Sequence, residues 1–129
     1  MKSLAYWIQR ADFSATDYDP IDVAGAIRAF DAHPWSEELI LQSELEDNGR
    51  EYCPPGIGFV DPDGPILHVC PTADGRALVH FHSKPSAWLL RTADPVQTSA
   101  DVARTDVVEL IHYFFHGQHD WIVQKLGAA

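Results

Sequence analysis

Apolar and polar positions alternate most regularly between Ile57 and His82, where short apolar runs are separated by turn signals. The runs are residues 57–60, 65–70 and 76–82, and the turns are Asp61-Pro62-Asp63-Gly64 and Ala73-Asp74-Gly75. Proline presets the φ of a type I turn and glycine supplies the left-handed residue after it, so both stretches suit three-residue loops closed by a bulge. Three residues in each loop pair Phe59 with Leu67, Leu67 with Phe81, and Val69 with Val79, which makes that face wholly apolar. The other face then carries Val60, Ile66, His68, Cys70, Leu78, His80 and His82, with His68 directly across from His80. A two-residue second loop would split the apolar set, and a buried face selects the register that keeps it whole.

The flanking segments are read from the same periodicities. Leu4, Tyr6 and Ile8 alternate as in a strand, and Asp12 to Asp19 is polar and turn-rich. Asp19-Pro20 predicts an N-cap with proline at the first helical position. The helix, about 20–32, has Val23, Ala26, Ile27 and Phe30 on one stripe and is stopped by Pro34. As a helix, Trp35 to Gly49 would send Leu39, Ile40 and Leu41 in three directions. As a strand it gathers Leu39, Leu41 and Leu45 on one face and ends at Asn48-Gly49, so a strand is expected. Cys53-Pro54-Pro55-Gly56 interrupts the ladder.

After the meander, Ala87 to Thr92 predicts a further strand, with Trp88 and Leu90 on one face, and Asp94 to Ala103 a loop with room for a short extended piece. Thr105 is placed to cap a helix of about 105–116, stopped by Gly117, and a last helix of about 118–126 contributes Trp121, Ile122 and Leu126. The expected fold is α+β: a twisted antiparallel sheet with a central three-stranded meander and flanking strands, the three helices packed on one face.

Composition bounds this picture. A chain of 129 residues that is 46% hydrophobic has the size and apolar content of one domain, 1–129, around one core. Its net charge of −10 is uneven, since residues 1–63 hold 13 acidic and 4 basic side chains, a balance of −9. Such a field disfavours nucleic acid and anionic lipid and favours encounter with a basic protein or a cation. It equally serves a soluble protein that avoids self-association. Cys53 and Cys70 are expected to be free thiols in a reducing compartment. The N-terminal apolar run is too short for a signal peptide, which makes the cytoplasm the expected location.

Candidate chemistry lies in two places. His68, Cys70, His80 and His82 share a predicted sheet face and could hold zinc or a similar ion, which needs nitrogen and sulfur ligands converging on one point. The same face without metal is a histidine-lined surface. His112 and His116 stand at i and i+4, but the glutamate of a His-Glu-x-x-His base is missing, so they fit a solvated helix face. Cys70 sits in a strand as a packing residue does, the serines lack a nucleophile-elbow context, and none of Gly56, Gly58, Gly64 and Gly75 precedes a helix as a phosphate loop requires.

The second place is acidic. Glu37, Glu38, Glu44, Glu46, Asp47 and Glu51 form the densest acidic region, and Trp35 beside them is either an interface anchor or core. The leading expectation is a small non-enzymatic interaction domain that meets a basic protein partner through this region, as inhibitors and immunity proteins do. The alternative is a metal- or small-ligand-binding protein, enzyme or sensor, that uses the histidine and cysteine face. A homodimer over an uncovered sheet face is compatible with either.

Overall fold

The computed structural model describes residues 2–83 and 97–129. Among the described residues, six strands form one antiparallel sheet in the order β2-β1-β3-β4-β5-β6. They are β1 (Leu4–Gln9), β2 (Ala15–Ile21), β3 (Gly56–Val60), β4 (Ile66–Pro71), β5 (Arg76–His82) and β6 (Gln97–Ala103). The helices are α1 (Val23–Ala32), α2 (Trp35–Asp47), α3 (Arg104–Phe115) and α4 (His119–Gly127).

The meander has the register that its apolar pattern requires. Phe59 faces Leu67, Leu67 faces Phe81, Val69 faces Val79, and His68 faces His80. Both loops hold three residues: the Asp61 N–H donates to the Pro65 carbonyl at 2.9 Å and the Thr72 N–H to the Arg76 carbonyl at 2.9 Å. Gly64 and Gly75 take the left-handed positions, at φ 114° and 76°. Phe59, Leu67, Val69, Val79 and Phe81 are wholly buried. Over them lie Val107, Leu110, Ile111 and Phe114 of α3, Ile122 and Leu126 of α4, and Ala26 and Phe30 of α1.

Outside the meander the structure departs from several expectations. The stretch expected to be turn-rich contains β2, an edge strand on which every residue but Ile21 is exposed. A strand solvated on both faces has no need of apolar alternation, and Pro20 is tolerated there because an edge need not donate outward. Helix α1 accordingly starts later, with Asp22 as N-cap accepting a hydrogen bond from the Gly25 N–H at 2.8 Å. The stretch up to Ala103, expected as a loop with room for a short extended piece, holds the full strand β6, and α3 begins at Arg104 without a side-chain cap, so Thr105 does not cap it. Gly117 does end the turn after α3, at φ 71°. In α4, Ile122 and Leu126 are buried but Trp121 is 53% exposed. The expected strand at Ala87 to Thr92 lies outside the described residues.

The largest correction is α2, expected to be a strand. Its sequence is rich in Leu, Glu and Gln, which lose little freedom in a helix, and Glu37 and Glu38 suit the positive end of its dipole. Leu39, Ile40 and Leu41 do point in different directions, and Ile40 is left 59% exposed. Tertiary anchoring at one end overrides the poor periodicity. The Trp35 indole N–H donates to the Phe30 carbonyl at 2.7 Å, and His33 Nε2 lies 3.2 Å from Glu38 Oε2. Whereas α1, α3 and α4 cover the apolar face, Leu39, Gln42 and Ser43 of α2 border a hollow with Cys70 and Leu78 of the histidine face.

At the β1–β2 hairpin tip, Phe13 is the single non-glycine residue with positive φ among the described residues, at 71°, and it is 57% exposed. A left-handed L-residue costs about 1–2 kcal/mol, and glycine's added unfolded-state entropy about 0.5–1 kcal/mol. Phe13→Gly is therefore expected to raise unfolding stability by about 0.5–1 kcal/mol, read as a higher urea midpoint at unchanged slope. A lower midpoint would show that the exposed ring contributes more to the fold than its conformation costs.

Candidate functional site

The histidine face is organised by one continuous cross-strand row. Asp17 of β2 faces Trp7 of β1, Trp7 faces Gly58 of β3, and Gly58 faces His68 of β4. His68 faces His80 of β5, which in turn faces Ser99 of β6. Period-two alternation puts all six on the side away from α3.

Glycine at the third position makes the row possible. A Cβ on Gly58 would sit 2.0 Å from the Trp7 ring, so the indole lies across β3 in the space a side chain would fill. It reaches His68 that way, stacking with ring centroids 5.6 Å apart. His68 and His80 follow at 5.9 Å, and His80 Nδ1 hydrogen-bonds the Ser99 hydroxyl at 2.7 Å. Gly56 serves the same surface, because a Cβ there would come within 2.8 Å of His68 Nε2.

This packing tunes the groups. Burial, followed by the neighbouring His80 and His82, lowers the His68 pKa to about 4, and burial with His82 lowers that of His80. Burial also pushes the Cys70 thiol up to about 11, with Cys53 adding to the shift. A thiol held that high is poorly nucleophilic at neutral pH. Cys70 Sγ stands 3.6 Å from His68 Nε2. Both cysteines are free and buried, and Cys53 donates to the Arg10 carbonyl at 3.0 Å.

The expected metal ligands thus share a face without forming a ligand set. His68 is held between Trp7 and His80, His80 turns to Ser99, and among the described residues no three His, Cys, Asp or Glu side chains are placed to hold an ion. His112 and His116 lie on the exposed side of α3, stacked 6.0 Å apart.

The acidic region lies on a helix and the segment after it, in place of the strand expected there. Trp35 is 5% exposed and Glu38 8%, so both belong to the interior and neither meets solvent as an anchor. Glu37, Glu44, Glu46 and Asp47 project from α2, and Glu51 from the segment after it, all exposed. The Glu46 carboxylate, by its charge and then by a hydrogen bond, raises the pKa of the exposed Tyr52 phenol. Exposed Ile40 stands among these carboxylates. Trp7, Gly58, Ser99 and Ile40 were not singled out by sequence. Trp7 carried a signal, an aromatic on the face opposite Tyr6, but its partner strand lies almost fifty residues on.

The chain matches no known protein-family model, no curated protein and no solved structure. No helix among the described residues is long and apolar enough to cross a membrane.

In the unfolded chain His68 takes up a proton near its ordinary pKa of 6.5, but in the fold only near 4. Because the unfolded state binds more protons in that window, stability is expected to fall as pH drops through it. The window from pH 6.5 to about 5 lies above the usual carboxylate range. Urea unfolding there should show a clear slope in the native chain and a shallower one in His68→Gln; equal slopes would mean that His68 is solvated as in a free peptide.

Proposed function

We propose that this protein is a non-enzymatic interaction domain that binds a basic protein partner through the acidic surface of α2 and the segment after it. The observation that carries the reading is the exposed side of α2, where Ile40, 59% exposed, shares a hollow with the carboxylates of Glu44 and Asp47. An apolar centre with a charged rim is the usual anatomy of a protein interface, and the rim's sign selects the partner's. The balance of −9 over residues 1–63 extends the same field over a longer range, which accelerates encounter with a cationic surface. The buried, high-pKa thiol of Cys70 supports a role outside nucleophilic catalysis.

The half-exposed row from Trp7 to His80 favours a second reading, in which the histidine face takes a metal ion or small ligand after some rearrangement of its side chains.

Charge reversal tests the first reading. Using the native chain and a Glu44→Lys, Glu46→Lys, Glu51→Lys variant as baits, a basic protein should be retained by the native chain alone. Its association rate with the variant should be lower by about tenfold or more at low salt, and the difference should shrink at high salt. A partner bound equally fast by both would remove the acidic surface from the reading. The second reading predicts a melting temperature that rises saturably with zinc after EDTA treatment and no longer does so in His68→Ala, His80→Ala; an unchanged melting temperature removes it for zinc.

A further inference from the structure

Among the described residues, the fully buried side chains of helix α2 are confined to its first turn. Of its thirteen residues only Trp35 and Glu38 are buried, and among the described residues the helix packs extensively along no other strand or helix. A peptide helix of this length is marginal by itself, and tertiary contact along an apolar face normally supplies the difference. The remaining turns carry Leu39, Ile40, Leu41 and Leu45, half-buried or exposed.

Beside those turns the surface is hollowed. One hollow, of about 410 Å³, lies over Leu39, Ile40 and Ser43, with Glu44 and Asp47 on its wall and Ala73 of the β4–β5 loop present. A second, of about 330 Å³, runs from Leu39 and Ser43 toward Pro71 and Leu78. Leu39, Ser43 and Ala73 border both, so the two are halves of one groove between α2 and the end of the meander. Leu78 is 36% exposed. Among the described residues, no lysine or arginine lines either half. Each volume lies at the lower end of the range for binding pockets.

We infer that this groove seats an apolar side chain of a protein partner, presented on a segment with lysine or arginine on either side. This deepens the proposed function and rests on its basic partner. Charge complementarity selects the occupant: carboxylates wall an apolar floor, so an anionic segment is repelled and a neutral one leaves those carboxylates unmatched. The apolar side chain supplies the desolvated centre, the flanking cations the rim. Seating it along α2 adds apolar contact to turns whose Leu39 and Ile40 are half-buried and exposed.

The test uses the full chain and three labelled synthetic peptides of one length: an amphipathic Leu/Lys peptide, a Lys/Ser peptide of equal charge and a Leu/Glu peptide. Fluorescence anisotropy at low salt is read for the native chain, Ser43→Trp, which fills both halves, and Ile40→Ser. Circular dichroism confirms folding, which substitutions at these exposed positions should leave intact. The Leu/Lys peptide should bind at least about tenfold more tightly than Lys/Ser, and both variants should reduce it to the Lys/Ser level. Equal binding of Leu/Lys and Lys/Ser, unaffected by Ser43→Trp, overturns the groove and leaves the acidic surface standing. Leu/Glu binding as tightly as Leu/Lys overturns the basic occupant together with the charge reading. Absence of binding by all three overturns the groove, while the association-rate experiment still decides the basic partner. Self-association in sedimentation that Ser43→Trp abolishes assigns the groove to a second copy of the chain and overturns the inference.

Discussion

Gly64 and Gly75 close the two loops of the meander in the left-handed region, and that conformation decides which side of the sheet every residue from Ile57 to His82 faces. A shift of one residue at either loop would carry a neighbouring strand's apolar set to the opposite side. The core under α3 and the row from Asp17 to Ser99 are therefore two results of one constraint. The row also needs Gly58, because the Trp7 indole crosses β3 through the volume a side chain would occupy.

Electrostatics divide the histidine row from the surface of α2 by burial rather than by charge count. On the row, partial burial keeps His68 neutral far below its ordinary range, so a group that could have carried charge behaves as an aromatic surface. On α2 the carboxylates stay in water, and their field reaches outward. Helix α2 meets the sheet beside Cys70 and Leu78, so the neutral, ring-lined surface and the acidic one adjoin along the groove.

Legibility in the sequence followed the range of the interactions. The meander was readable because its turns are local and its apolar face is buried, and this was enough to place His68 opposite His80. Trp7 could be placed on a strand, but its stacking on His68 depends on β1 pairing with β3, a contact that no local pattern encodes. Strand β2 gave no periodic signal because water covers it on both sides. The strand expected at α2 came from weighting the leucine alternation above helix propensity, while the deciding contacts, Trp35 to the Phe30 carbonyl and His33 to Glu38, lie at the end of the segment. Trp35 is core, the reading that tryptophan's usual burial favours, whereas Glu38 could be assigned to the interior only from the fold.

The anchoring of α2 at one end separates two demands that often compete for the same residues. Beyond Glu38, its outward side chains bear little of the core, so substitutions there cost the fold little. They lie between two units, the β1–β2 hairpin and the meander, whose registers are set elsewhere. Selection acting on recognition could thus rewrite this surface through many successive changes while the sheet beneath it stayed the same. Related chains would be expected to diverge fastest along the outer turns of α2 and slowest at Gly58, Gly64 and Gly75.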